Sequence, residues 1–466
     1  MSTARRIPTA DQSLETIVST RGVAAWLLVC LSLAYIPYIG RGFIADDFSW
    51  IFHSRVTTPD DLRTPLVATP MGFYRPVVSW SFAANYAVFG LWPMGYALTN
   101  FALVAGIGVA VAHLARHFGL TSSAGLFAAA LWMFNFHGIG MALTWISGRT
   151  SLLTTLFAVL AAIAQVRDRA WLAGVATLAA LLSKEEPVLL PVVLLLWAAL
   201  DSPRASWRGA MSHALRMTWP TFAALLIYGV LRHGTPAFTP QTAPVFYKLS
   251  SSPSLLAANA LSYLDRSFTF PLAVLALGLA CFVRQAPVLQ PSERRIVVKG
   301  VIWFALTSAL TVLVPVRSSL YACLPSVGAS IAGAAIGTAI WRQISPRRQR
   351  WAWVAALGLL PALLPIYWAR NARGRDDAQL SARIMSTITQ VLESDPVVTR
   401  VEIFQVPNER PSARAAVGGA LPHAVSLGLN RAIDAQFMGW PADTDPPRSS
   451  PTTLRLVVSQ REVQRQ

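Results

Sequence analysis

Apolar residues along this chain fall in runs of roughly 15 to 23, separated by short stretches that carry arginine, which is the spacing of helices that cross a bilayer. Eleven runs qualify as spans: 23–40, 93–115, 122–143, 151–165, 170–182, 187–200, 217–231, 267–283, 300–315, 320–341 and 351–368. The segment 41–92 between the first two is too long for a turn. Its second half, 75–91, predicts a helix lying flat on the membrane, with Trp80, Phe82, Tyr86 and Phe89 at the interface and Pro76 opening the helix. A second long segment, 233–266, holds Pro236, Pro240, Pro244 and Pro253 and reads as a mobile cover over a site.

From Arg370 onward the chain turns polar and loses runs of membrane length. Leu380, Ile384, Ile388 and Val391 keep a helical spacing, Val401 and Ile403 alternate as in a strand, 424–437 suits a second helix, and Leu454, Leu456 and Val458 alternate again. Residues 446–451 read as a loop. The pattern therefore predicts an all-α polytopic membrane protein of about 11 transmembrane helices with a small, independently folding α/β soluble domain at its C-terminus. The divisions fall at 1–22, 23–369 and 370–466. No internal repeat or low-complexity segment interrupts this order.

Composition narrows the class without changing the picture. Of 466 residues, 54% are hydrophobic and only 13% charged, with a mean hydropathy of +0.47. A soluble enzyme, a disulfide scaffold and a disordered chain are excluded. The net charge of +17 raises the question of nucleic acid, which the positions of the basic residues answer. Arg116, Arg167, Arg169, Arg294, Arg295, Arg342, Arg347, Arg348 and Arg350 gather between spans on one side, as the positive-inside rule requires of a cytoplasmic face. The expectation is a multi-pass protein of the inner or plasma membrane with its N-terminus cytoplasmic. An odd number of spans then puts the C-terminal domain outside. The first run has no small-residue cleavage site after it and reads as a retained anchor. Cys30, Cys281 and Cys323 lie in or beside spans, where neither a disulfide framework nor a zinc site is indicated.

Charged residues at membrane boundaries are the candidates for chemistry, because holding them there is costly. Asp46 and Asp47 follow the first span; one buried and one exposed acid can serve as a general base with its neighbour, although a solvated loop end looks the same. Lys184, Glu185 and Glu186 sit between two apolar runs with little else joining them, where a lysine can hold a phosphate or the charges can simply set helix ends. Arg149 and Arg317 are single cations in short outer turns, a setting more often occupied by an interfacial snorkelling residue than by a ligand contact. His137, beside Asn135, is a further candidate that packing alone would also explain. By the topology above, Asp46, Asp47, Arg75, Arg149, Lys184, Glu185, Glu186 and Arg317 converge on one face. Cations ringing an acidic pair suit an anionic lipid phosphate beside a base.

Several stretches also carry a resemblance. Phe43-Ile-Ala-Asp46-Asp47-Phe-Ser-Trp50, Phe73-Tyr-Arg75-Pro76-Val and 85–100 are followed in order by Thr144-Trp-Ile-Ser-Gly-Arg149-Thr-Ser-Leu-Leu, Leu181-Leu-Ser-Lys184-Glu185-Glu186-Pro and Arg317-Ser-Ser-Leu-Tyr321-Ala-Cys-Leu-Pro325-Ser. Together they resemble the multi-spanning glycosyltransferases of the GT-C type, and most of all the membrane part of the tetratricopeptide-repeat O-mannosyltransferases and their bacterial relatives. The resemblance implies transfer of a sugar from a polyprenyl-phosphate donor to a protein, lipid or polysaccharide hydroxyl on the extracytoplasmic face. It makes Asp46 the general base, Asp47 its neighbour, and Arg75 the residue facing the donor phosphate. Arg149, Lys184, Glu185, Glu186, Arg317, Tyr321 and His137 become candidates for substrate contact. No metal or other cofactor is expected, since no Asp-x-Asp or histidine cluster is present and cations can hold the leaving phosphate. The chain departs from the pattern in lacking tetratricopeptide repeats and in reading Arg-Ser-Ser-Leu-Tyr where Glu-Arg-Tyr-Leu-Tyr is expected. A flippase for a polyprenyl-linked glycan and an inactive assembly scaffold are the alternatives.

Overall fold

The computed structural model describes residues 20–203, 206–239, 241–283, 286–407, 409–429, 433–440, 446, 448–459 and 462–465. The N-terminal segment 1–22 expected from the sequence therefore lies almost wholly outside the described residues.

Each of the eleven apolar runs meets a helix. Six helices are long and apolar enough to cross a membrane. They are α4 (Pro93–His117), α7 (Arg149–Val166, extended back to Ile146 by a short 3-10 turn), α10 (Trp207–His233), α11 (Pro253–Phe282), α12 (Pro291–Val312) and α14 (Pro346–Ser394). Shorter apolar helices complete the bundle: α1 (Thr20–Tyr35), α5 (Ser122–Met133), α8 (Ala170–Leu181), α9 (Leu190–Leu200) and α13 (Pro325–Gln343). One apolar core runs through it from Cys30 and Leu31 through Trp132 and Leu152 to Trp303 and Val327.

The expected span 122–143 is broken. Helix α5 stops at Met133 and a short α6 (Ile139–Thr144) follows, with Gly138 between them at a φ of 74°. A side chain at Gly138 would strike the backbone of Cys323, so the break is where another loop passes closest. Asn135 fixes the bend by donating to the Arg266 carbonyl at 2.9 Å. The first outer loop contributes α2 (Asp46–His53) and α3 (Pro76–Phe89). Helix α3 starts at Pro76 as expected, but Phe82 is fully buried beneath Trp50 rather than at an interface, their rings 6.0 Å apart.

The second long loop is shorter than its prolines suggested, because α11 begins at Pro253. What remains is tied down: Phe238 donates to the Gly72 carbonyl, Val316 to Phe246 and Ser250 to Leu313. A mobile cover is not what these bonds describe.

The C-terminal unit is a four-stranded sheet of order β2-β1-β3-β4, with β1 (Arg400–Gln405) parallel to β2 (Asp434–Met438) and β3 (Thr453–Val458), and β4 (Val463–Arg465) antiparallel to β3. Helices α15 (Ala413–Val417) and α16 (Leu421–Leu429) connect β1 to β2. The helix expected over 424–437 thus ends at Leu429, and Asp434 to Met438 pairs with β1 instead, giving up local helix for a parallel ladder. The unit is not set apart from the rest. Its core of Leu380, Ile384, Ile388, Val401, Ile403 and Leu456 is continuous with Phe43, Trp50, Phe82 and Tyr96 of the outer loops. Residue 370 also falls inside α14, which runs unbroken for 49 residues from the bundle into the sheet domain.

Candidate active site

Helix α2 begins where the backbone turns sharply, with Ala45 at a φ of 46°. The turn is held from two directions: the Ala45 amide donates to the Ala416 carbonyl at 3.0 Å, and the Trp145 indole donates to the Ile44 carbonyl at 3.3 Å. It sends the two adjacent acids to different environments. Asp47 is fully buried and accepts from the Ile44 amide at 2.9 Å and from both the amide (2.7 Å) and the hydroxyl of Ser147. Burial pushes its carboxyl up to about 7 despite these bonds. Asp46 is half-buried, and its carboxylate has no hydrogen-bond partner among the described residues. Burial raises its pKa too, with the Arg75 guanidinium acting in the opposite direction.

Arg75 caps α3 and stacks over Phe73 at 4.1 Å. It makes a forked ion pair with Glu185, at 2.8 and 3.1 Å from Nη2 and 3.3 Å from Nε. Desolvation alone would raise Glu185, and Arg75 instead holds it down at about 2. The next two charges pair with each other. Lys184 forms an ion pair with Glu186, donates to Ser151 Oγ at 2.8 Å and lies over the Tyr321 ring at 4.6 Å, and both members are almost completely buried. Burial raises Glu186 against the pull of Lys184.

Tyr321 and Tyr247 complete the wall. Tyr247 sits in the short 3-10 turn Val245–Tyr247 with its ring 5.4 Å from Phe73, and Asp46, Arg75, Glu185 and Tyr321 are its electrostatic neighbours. Burial raises both phenols, so they remain protonated hydrogen-bond donors. Tyr247 was not among the sequence candidates. Only the loop bonds to Gly72, Leu313 and Val316 bring it here, and nothing in its local sequence marks it.

Two expected members stand elsewhere. Arg149 is fully buried below the cluster, its fork closed by Asn100 Oδ1 (2.8 Å), the Tyr96 carbonyl (2.9 Å) and Ser81, with Phe82 beneath it at 4.7 Å. All three of its nitrogens are engaged in these bonds. His137 does not meet the Asp46–Asp47 pair either: its charged neighbours are Arg370, Asp265 and Arg266, and its Nδ1 is buried without a partner among the described residues. Arg317 is exposed at the rim and donates to Asn259 Oδ1 at 2.6 Å. Arg266 is close by, over Tyr263 at 5.7 Å, with its Nη1 buried and without a partner among the described residues. Tyr263 in turn meets Tyr321 at 6.2 Å, which links this basic group to the acid cluster. Among the described residues no group of three or more His, Cys, Asp or Glu side chains converges in a way that would hold a metal ion.

Fold and site together define a polytopic helical membrane protein with a carboxylate and cation cluster at one end of its bundle, packed against a small α/β domain. No protein-family model and no curated protein matches the chain. Among solved structures it is similar to ArnT from Cupriavidus metallidurans, in a structure bound to undecaprenyl phosphate (14% identity, 92% of this chain and 87% of that chain covered, TM-score 0.45) and in an apo structure (14% identity, 90% and 86% covered, TM-score 0.42).

Proposed function

We propose that this chain is an integral membrane glycosyltransferase of the GT-C type. It moves a sugar from a polyprenyl-phosphate donor to an acceptor hydroxyl on the extracytoplasmic face by an inverting displacement. The observation that carries this reading is the contrast between two adjacent acids. Asp47 is bound on both oxygens, whereas Asp46 keeps a partly buried carboxylate free beside Arg75. A carboxylate raised by burial and left unbonded suits a general base. In the reaction Asp46 takes the proton of the acceptor hydroxyl, that oxygen bonds the anomeric carbon, and the bond from the anomeric carbon to the phosphate oxygen breaks on the opposite side, releasing the polyprenyl phosphate.

Charge pairing assigns the other roles. Arg75 and Lys184 are already neutralised by Glu185 and Glu186, so they orient the site, and Arg75 also tunes Asp46. Arg266 and Arg317 have no acidic partner among the described residues, and we assign the leaving phosphate to them. Tyr247 and Tyr321 supply neutral donors between the two groups.

The test compares glycans, glycoproteins and glycolipids by mass spectrometry in cells carrying wild type, a deletion and Asp46→Asn at equal expression. Loss of one sugar from one acceptor class in both altered strains is the expected result, and it identifies sugar and acceptor together. A change on deletion but not with Asp46→Asn overturns the base assignment and is what a flippase or a scaffold predicts.

A further inference from the structure

At the end of the bundle away from the carboxylates, helices α1, α4, α5, α11, α13 and α14 enclose a crevice of about 880 Å³. Its walls are apolar for most of their length, and among the described residues its polar lining is concentrated at one end, where α4 finishes in His113, Arg116 and His117. Along α5 the crevice extends from Ser122 to Leu131. These ten residues of helix rise about 14 Å, close to half of the roughly 30 Å hydrocarbon thickness.

The mouth is unbalanced in charge. At this end Lys299 pairs with Asp201 at 2.5 Å and Arg342 with Glu293, while the remaining cations of this face, among them Arg116 and Arg167, have no acidic partner among the described residues. The Arg116 side chain has neither an ion pair nor a hydrogen bond among the described residues, and the charged neighbours of His113 are all basic: His117, Arg167 and Arg116. An apolar slot one leaflet deep, opening beneath uncompensated cations, has the form of a lipid with an anionic head.

We infer that this crevice is a binding site for an anionic phospholipid of the leaflet opposite the acid cluster, with an acyl chain between α5, α11 and α14 and the head group at Arg116. The site does not depend on the transferase reading. Residues in α11 make it testable. Cys281 lines the crevice and is exposed, whereas Cys30 and Cys323 are fully buried, so it is the thiol that reports occupancy. Gly278 also lines it, and a side chain there meets open space.

The full-length protein is placed in nanodiscs of phosphatidylglycerol or of phosphatidylcholine, and alkylation of Cys281 by N-ethylmaleimide is timed by mass spectrometry. Native mass spectrometry counts retained lipid. Slower alkylation and one retained lipid per chain in phosphatidylglycerol are expected. Arg116→Gln should narrow the difference between the two lipids by about fivefold, the worth of one arginine near an anionic surface. Gly278→Trp should fill the slot and abolish retention. Equal alkylation rates in the two wild-type discs overturn the inference, as does equal retention of both lipids. If Gly278→Trp does not fold, the wild-type rates and Arg116→Gln still decide the matter.

Discussion

The floor and the rim of the acid cluster are built from the same residue types and treat them in opposite ways. On the floor, Asp47 and Arg149 are fully buried and have a partner on every side: Ser147 and Ile44 for the acid, Asn100, Tyr96 and Ser81 for the guanidinium. On the rim, among the described residues, Asp46 has no hydrogen-bond partner for its carboxylate and Arg266 keeps a buried nitrogen unbonded. A buried charge that is completely satisfied fixes geometry, and removing one member leaves the others stranded. A partly buried charge left open is held at a cost to the folded state and is available to a ligand. The charged residues of this face thus divide into those whose hydrogen bonds are made within the fold and those left open.

The largest expected effect breaks the comparison from the rim. Asp46→Asn should lower transfer by about 10² to 10⁴-fold, the usual worth of a general base, with unchanged thermal unfolding in detergent. An active Asp46→Asn enzyme would mean that the open carboxylate is not the base. From the floor, Arg149→Leu strands Asn100 Oδ1 and the Tyr96 carbonyl and should cost about 3 kcal/mol of stability, visible as a lower unfolding temperature and poor recovery from membranes. A variant that folds normally but no longer binds donor would move Arg149 to the rim. Arg266→Gln is predicted to do the reverse, weakening donor use by about tenfold, the scale of one charged hydrogen bond, without loss of stability. The smallest effect is a shift rather than a loss. Arg75 lowers Asp46 against its desolvation, so Arg75→Gln should raise that carboxyl further and move the acid limb of the pH-rate profile to higher pH. The same limb at unchanged pH would show that Arg75 does not act on the base.

The membrane helices were legible because each is a local property of composition, which is why every apolar run meets a helix. Breaks and pairings were not. The stop at Met133 depends on Asn135 reaching the Arg266 carbonyl, 131 residues away, and a hydropathy pattern carries no trace of that bond. Arg75 and Glu185, 110 residues apart, were each visible as a charge at a boundary, but not as partners that neutralise one another. Arg149 misled for a related reason: a Gly-Arg turn at a span end looks interfacial, and only the fold shows Asn100 and Tyr96 closing around it. The strand Asp434 to Met438 was read as helix because its short alternation is decided by β1 beside it. Asp46 was legible in position, while the difference from Asp47 needed Ser147 to be seen.

The unbroken helix α14 has a consequence for how this chain can change over time. Its 49 residues, about 73 Å of continuous helix, join the bundle to the sheet domain without a flexible linker. That domain grips the acid-bearing turn through the Ala45 to Ala416 bond and the Ser49 to His423 contact at 2.9 Å. One residue inserted between Trp368 and Leu380 would swing the domain by about 100° and pull both contacts apart, whereas seven would bring it back to within about 20° of its starting phase but about 10 Å further out. The number of residues along this stretch therefore sets where the sheet domain meets the acid-bearing turn, independently of which side chains occupy it.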